Sequence, residues 1–178
     1  MTEKIRSTTI VGLIRNGNVA LGSDGQVTLG ATVMKHHAKK VHSLYNNTIL
    51  VGFAGASADA FTLMERFEEK LQAYQGNLER SAVALAKDWR KDKYLRNLEA
   101  MLGVLSKDNA FVISGTGDVI APDDGIIAIG SGGPFALAAA RMLIKHTTLS
   151  AKEIVQEALR TASEICVYTN SNITIQEL

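Results

Sequence analysis

Hydrophobic and polar positions in the first third of the chain follow the pattern of β-strands separated by tight turns. Thr8–Arg15 is apolar and rich in β-branched residues, and Asn16–Gly17 separates it from a second such run. Asn-Gly between two such runs is the strongest short signal for a β-hairpin. A second hairpin is predicted around Asn46–Asn47, and residues 26–35 form a further extended segment between the two.

The period of the hydrophobic pattern changes after Ser57. Apolar residues then recur at the spacing of one helix face, at Phe61, Met64, Phe67, Leu71 and Tyr74. Asn77 is a candidate N-cap for a second helix. Strand patterns return at residues 110–114, 118–122 and 125–130.

Two helix-start signals and one strand complete the chain. Gly133–Pro134 opens a third helix, because proline is tolerated in the first helical turn. Ser150 and Glu153 form a capping box that begins a fourth helix. Residues 172–178 are predicted to be the last strand.

The resulting order is strands, two helices, strands, two helices and a strand, which indicates the α+β class. Helices do not alternate singly with strands, and this argues against a parallel doubly wound sheet. Two antiparallel sheets packed face to face, with a helix pair outside each, satisfy the pattern. The length of 178 residues suits one such domain.

Composition narrows the function classes. The formal net charge of +1 implies no broad attraction to nucleic acid or to anionic lipid. Residues 1–7 have no apolar core of the secretory type, and no apolar run is long enough to span a bilayer. The single cysteine, Cys166, excludes an internal disulfide framework. We therefore expect a soluble, cytoplasmic protein without a nucleic-acid or membrane partner.

The turn positions set the register of both hairpins. Counting from Asn16–Gly17 places Thr9 opposite Asp24, so that Asp24 lies within about a residue of Thr8. A strict register puts Thr8 and Asp24 on opposite faces, whereas a bulge puts them on the same face. The second hairpin pairs Lys40 with Phe53. If the open ends of the two hairpins meet, a hydroxyl, a carboxylate and an amine come together.

Four segments in order carry a family resemblance. TTIVGLIRNGNVALGSDGQVTLG, KKVHSLYNNTILVGFAGASADAFTL, AKDWR and AIGSGGPFALAAAR resemble the HslV (ClpQ) family. These are bacterial proteasome-related threonine peptidases of the N-terminal-nucleophile hydrolase superfamily. The likeness covers nearly the whole chain from Thr8 onward and implies a four-layer αββα sandwich.

The resemblance also implies a processed N-terminal threonine. Many family members carry it directly after the initiator methionine, whereas this chain interposes TEKIRS. Thr8 therefore becomes terminal only through a second, autocatalytic cut at Ser7–Thr8. Residues 1–7 are then a prosegment, and residues 8–178 are a single peptidase domain.

The implied chemistry explains why the threonine must be terminal. A hydroxyl needs a base to act as a nucleophile, and a free α-amine titrates at about 7.7–8.0. By resemblance, Thr8 Oγ attacks the peptide carbonyl and Lys40 lowers the pKa of the amine. Asp24 holds Lys40 in place and keeps it charged. The Gly55 N–H stabilises the oxyanion, and Ser131 helps to move protons.

Further sites and partners are implied in the same way. A sodium ion is expected on the backbone carbonyls of Ser163, Cys166 and Thr169. The substrate is expected to lie as an extended strand along Val27, Thr28 and Leu29, with Ser57 in the same cleft. HslV-type subunits form two stacked hexameric rings, a dodecamer, and an HslU-type AAA+ ATPase hexamer delivers unfolded proteins. The chain has no Walker motif, so we expect it to bind no nucleotide itself.

Two alternatives remain open from the sequence. Gly55-Ala-Ser57-Ala-Asp59 is similar to the nucleophile elbow of serine hydrolases but lacks its second glycine. The second alternative is a non-catalytic, proteasome-like shell subunit that retains its prosegment. Locating a covalent inhibitor adduct tests the first alternative, and an intact mass tests the second.

Overall fold

The computed structural model describes residues 5–6, 8–55, 57–93 and 100–178. In chain order its strands are β1 Ile5–Arg6, β2 Thr9–Arg15, β3 Asn18–Ser23, β4 Val27–Leu29, β5 Thr32–Lys35, β6 Val41–Leu44, β7 Ile49–Ala54, β8 Met101–Leu105, β9 Ala110–Ser114, β10 Val119–Ile120, β11 Ile126–Gly130 and β12 Thr174–Glu177. Its helices are α1 Ser57–Ala73, α2 Leu78–Lys91, α3 Gly133–His146 and α4 Ala151–Ile165.

The strands form three antiparallel sheets. One has the order β11-β2-β3-β12, and a larger one has the order β10-β9-β8-β7-β6. A small third sheet has the order β1-β4-β5. Strands β4 and β5 form a hairpin that turns at Gly30, whose φ of 57° is left-handed. The predicted extended segment over residues 26–35 is therefore two strands.

Three apolar clusters define the layers. One lies between α1–α2 and the five-stranded sheet and includes Phe67, Leu85 and Trp89. A second lies between α3–α4 and the four-stranded sheet. The third fills the space between the two sheets and includes Ile10 and Leu50. The predicted four-layer αββα sandwich is confirmed.

The local turn and cap signals are also confirmed. Asn16 and Gly17 both have positive φ, at 52° and 78°, and Arg15 pairs with Asn18. The Asn77 side chain caps α2 by accepting the Arg80 N–H at 3.0 Å. At the start of α4, both hydrogen bonds of the Ser150–Glu153 capping box are present.

Two strands are missing from the sequence prediction, the two-residue β1 and the longer β8. β8 lies in the centre of the larger sheet, between β7 and β9, and four of its five residues are buried. Because both of its faces are covered, its apolar positions do not alternate with polar ones. In the part of the chain that the structure describes, no helix is long and apolar enough to cross a membrane.

Candidate active site

The open ends of the two hairpins meet. Lys40 Nζ, directly before β6, donates to Asp24 Oδ1, directly after β3, at 2.8 Å. Asp24 is fully buried and Lys40 is 8% exposed. This ion pair therefore links the two large sheets. It shows that the open ends of the two hairpins meet, which the sequence analysis had left open.

The predicted register of both hairpins is confirmed at this point. The Asp24 N–H donates to the Thr9 carbonyl at 3.2 Å, and the Phe53 N–H donates to the Lys40 carbonyl at 3.2 Å. The Thr9 N–H bonds to the Asp24 side chain at 2.8 Å. The Asp24 carboxylate thus lies against Thr9 of its own hairpin, the residue that follows Thr8.

Asp24 accepts hydrogen bonds on both carboxylate oxygens. Oδ1 accepts from Thr9 and Lys40, and Oδ2 accepts the Gln26 N–H at 2.8 Å. These three short hydrogen bonds fix the position of the Asp24 carboxylate in the protein interior.

Opposing effects act on the Lys40 ammonium. Burial lowers the pKa of Lys40, whereas the charge of Asp24 and its hydrogen bond raise it. Burial is the larger effect, so the pKa lies below its ordinary value. Lys40 Nζ also donates to the Gln26 carbonyl at 2.7 Å, which fixes its position.

Thr8 is held from the opposite side by the segment that precedes α3. The Ser131 N–H donates to the Thr8 carbonyl at 2.9 Å. Gly130 packs so closely that a Cβ there would overlap the Thr8 carbonyl oxygen. Thr8 is 2% exposed, and its φ is 141°, a value that β-branched residues rarely adopt.

A small cleft brings several predicted residues together. Thr8, Lys40 and Gly55 line it, and so does Val27 of the predicted substrate segment. The remaining walls are largely apolar and include Ala38, Phe53, Phe61 and Met64. Ser131 adjoins this cleft through its bond to Thr8, and its side chain is exposed.

The predicted substrate segment forms β4. Thr28 is buried and accepts a hydrogen bond from Gln26 Nε2 at 2.9 Å, whereas Val27 and Leu29 are half-buried. Both sides of β4 are paired, one with β5 and the other with β1. Helix α1 begins at Ser57, but the Ser57 side chain lies outside the described part of the structure.

A pair of buried hydroxyls beside Thr8 was not predicted. Thr9 Oγ1 and Thr169 Oγ1 lie 2.7 Å apart, and Thr9 Oγ1 also accepts the Gly132 N–H at 2.9 Å. Thr9 thus connects Asp24, the start of α3 and the loop after α4. Thr9 and Thr169 are 160 positions apart, so no local pattern indicates their contact.

The residues predicted to bind sodium lie at the end of α4. Ser163 is in its last turn, Cys166 is its C-cap, and Thr169 follows in the next loop. Backbone oxygens at a helix C-terminus carry partial negative charge, which favours a cation. The last turn of α4 also contains no basic residue. The donor chemistry therefore fits a monovalent cation, with Cys166 contributing oxygen.

Comparison with known proteins places this geometry in a family. The model of the proteasome subunit family matches residues 5–178. The ATP-dependent protease subunit HslV of Chlorobium luteolum is 64% identical over 174 residues, which cover 98% of this chain and 96% of that protein. The HslV subunit of Chlorobium phaeobacteroides is 62% identical over 175 residues, with the same two coverages.

A solved structure supports the same family assignment. The crystal structure of eukaryotic HslV from Trypanosoma brucei superposes with a TM-score of 0.91 at 44% identity, covering 96% of this chain and 98% of that one. Thiobacillus denitrificans BPH, at 16–18% identity and TM-scores of 0.72 and 0.70, shares the fold.

Proposed function

The chain belongs to the proteasome subunit family and to its HslV group of threonine peptidases, and on that premise we propose that Thr8 is its nucleophile. The observation that carries this proposal is the convergence of separate groups on Thr8. Lys40, which is paired with the buried Asp24, and Gly55 line the same cleft as Thr8, and the Ser131 N–H binds the Thr8 carbonyl. The chain then acts as the peptidase subunit of an ATP-dependent protease.

The cut between Ser7 and Thr8 makes Thr8 terminal. Thr8 Oγ attacks the carbonyl carbon of Ser7, and the bond from that carbon to the Thr8 nitrogen breaks. The hydroxyl proton passes to the nitrogen, which becomes a free amine, and the prosegment remains as an ester on Oγ. Water hydrolyses the ester and restores the hydroxyl, so the chain processes itself.

The freed amine then serves as the base for other substrates. It takes the Thr8 hydroxyl proton as Oγ attacks a peptide carbonyl, and it returns a proton to the leaving amine. Two of the three hydrogens of the Lys40 ammonium are bonded to Asp24 and Gln26, which leaves the third for Thr8. The Gly55 N–H stabilises the oxyanion, a contribution of about 3–4 kcal/mol for such donors.

Substrates are polypeptides bound in extended form. Main-chain pairing with a strand gives affinity without requiring a particular sequence, which suits a protease of unfolded proteins. The apolar walls formed by Phe53, Phe61 and Met64 favour an apolar side chain beside the cut.

A sodium ion would be held by the backbone carbonyls of Ser163, Cys166 and Thr169 at the end of α4, where it would supply a fixed positive charge. The loop after α4 is joined to Thr9 by the 2.7 Å contact between the Thr9 and Thr169 hydroxyls.

The chain works as an assembly. We propose a double ring of hexamers in the cytoplasm, served by an HslU-type AAA+ ATPase that unfolds and delivers substrates. Large apolar side chains at the surface support burial against further chains: Val167 and Met34 are 79% and 62% exposed. Native mass spectrometry of the purified protein tests the dodecamer.

The decisive experiment asks whether Thr8 becomes terminal and reactive. Intact-mass measurement should find the chain from Thr8 onward, and a peptide vinyl sulfone should label Thr8. Thr8→Ala should retain residues 1–7 and lose labelling. Thr8→Ser should still remove residues 1–7 and still be labelled, both at a reduced rate. Active protein that retains residues 1–7, or an adduct on Ser57, contradicts the proposal.

A further inference from the structure

Lys40 lies at the end of a segment that belongs to no helix or strand. The segment consists of residues 36–40, between β5 and β6, and its first two side chains, His36 and His37, are exposed. Lys40 itself is buried at the end of this segment. Contacts with neighbouring loops, rather than a strand ladder, must therefore hold residues 36–39 in place.

Asn170 connects this segment to the residue that follows Asp24. Its Oδ1 accepts the Gly25 N–H at 3.1 Å, and its Nδ2 donates to the His36 carbonyl at 3.0 Å. Its backbone N–H also donates to Asp24 Oδ2 at 3.4 Å. One asparagine in the loop after α4 thus joins the chain at Asp24 to the segment that carries Lys40.

The partners of the Asn170 amide fix its orientation. Oδ1 accepts two backbone N–H groups, those of Gly25 and of Asn172 at 3.2 Å, whereas Nδ2 faces the carbonyl oxygen of His36. A flipped amide would place its NH₂ against two donors and its oxygen against a carbonyl. An aspartate of the same shape has no donor for His36. The site therefore requires an acceptor and a donor on one short side chain.

The two bridged segments are also packed directly against each other. A Cβ at Gly25 would overlap the His36 carbonyl oxygen. The Ala38 N–H donates to the Gly25 carbonyl at 2.9 Å. Because close-packed groups transmit small displacements, a shift of His36 away from Gly25 reaches Lys40, only four residues along the chain.

We propose that Asn170 is a positioning residue for Lys40: by holding Gly25 and His36 together, it keeps the Lys40 ammonium on Asp24 and in the cleft beside Thr8. This inference rests on the proposed roles of Thr8 and Lys40. Asn170 acts through the two segments that it joins.

Peptide hydrolysis in the presence of the HslU-type ATPase tests this role. Every variant is released directly at Thr8 from a ubiquitin fusion, so that slow self-processing does not alter the comparison. Asn170→Ala should lower kcat for a fluorogenic peptide by about 10–100-fold, because a misplaced Lys40 impairs the reaction at Thr8. KM should change by less than about twofold, because substrate binding along β4 is retained.

Two other asparagines provide controls. Asn172 Nδ2 donates to the same His36 carbonyl at 3.0 Å, but Asn172→Ala leaves the Asn170 bridge in place and should lower kcat less than Asn170→Ala. Asn77→Ala removes the 3.0 Å N-cap bond of α2 and tests a loss of stability as such. It should leave kcat unchanged.

Asn170→Asp adds a pH readout and keeps the shape of the side chain. Its carboxylate brings a negative charge close to Asp24, and such a charge raises the pKa of neighbouring amines. The acidic limb of kcat should therefore move to higher pH by about 0.5–1 unit relative to wild type. The other ionisable groups of residues 36–40 are the same in both proteins: His36, His37, Lys39 and Lys40.

Labelling by a peptide vinyl sulfone separates this inference from the proposed function. If the wild-type chain is not labelled at Thr8, the proposed function itself fails. If it is labelled, wild-type kcat in Asn170→Ala, an equal loss of kcat in Asn77→Ala, or an unmoved acidic limb in Asn170→Asp overturns the role of Asn170. Should Asn170→Ala fail to fold, Asn170→Asp takes its place in the kcat comparison.

Discussion

Replacing Asp24 with asparagine should destabilise the fold strongly, because no orientation of the amide fits. Oδ1 accepts from Thr9 and Lys40, and Oδ2 accepts from Gln26. Whichever position receives the NH₂ group, that group faces a donor. The substitution also leaves the buried Lys40 ammonium without a counter-charge. Removing one partner of a buried ion pair costs about 3–5 kcal/mol.

Urea unfolding measures this cost. All variants carry Thr8→Ala, so that every chain keeps the same ends and cleavage does not alter the comparison. Asp24→Asn should lower the free energy of unfolding by about 3–5 kcal/mol. Adding Lys40→Met should recover part of the loss, because the double variant no longer contains an uncompensated charge.

A second lysine–carboxylate pair provides the control. Lys152 Nζ lies 2.7 Å from Glu177 Oε2, but both side chains are about half exposed, at 53% and 50%. Exposed pairs are worth about 0–1 kcal/mol, so Glu177→Gln should have a correspondingly small effect. If Asp24→Asn costs no more than Glu177→Gln, or if Lys40→Met deepens the loss, the buried charge is not what stabilises this junction.

Two further predictions concern backbone strain and pH. In the uncut chain, the Thr8→Gly variant should be more stable than the Thr8→Ala variant by about 1 kcal/mol. Glycine relieves backbone strain of about 1–3 kcal/mol and costs about 0.5–1 kcal/mol in chain entropy. Urea unfolding that finds the alanine variant equally or more stable contradicts this prediction. Burial and the charge of Lys39 lower the pKa of His42 below its ordinary 6.5. The unfolded chain then binds a proton more readily than the folded one, so stability should fall as pH drops below 6.5 toward the folded pKa. The loss of folding stability between pH 7 and pH 5 should be smaller for His42→Gln than for the wild type. An identical loss in the two proteins refutes the attribution of this pH dependence to His42.

Short-range signals predicted much of this structure. Asn-Gly, an N-cap asparagine and a capping box each act within four residues, so tertiary context did not override them. The hairpin registers followed by counting from the turns, which paired Thr9 with Asp24 and Phe53 with Lys40 as observed. Counting did not show that the open ends of the two hairpins meet. The strand β8 escaped because burial on both faces removes the alternation that marks a half-buried strand.

The site depended on contacts that no local pattern encodes. Thr9 and Thr169 meet across 160 positions, and the Lys40–Asp24 pair joins two different sheets. Sequence reasoning assigned Thr169 only a backbone role. The buried hydroxyl contact requires the loop after α4 to fold back beside β2, and that placement follows from packing of the helix pair.

The distance between Lys40 and Asp24 is set by residues that have no chemical role. Asp24 follows β3 and Lys40 precedes β6, so the gap that their side chains must span is set by the spacing of the two sheets at this edge. Between the sheets, Ile10, Leu21 and Val41 are fully buried and make that spacing fixed. Protein interiors are close-packed, so a change of one methylene there is transmitted to neighbouring groups. The hydrophobic pattern that identifies the strands therefore also positions the ion pair, although the pattern alone does not reveal which strand ends will meet.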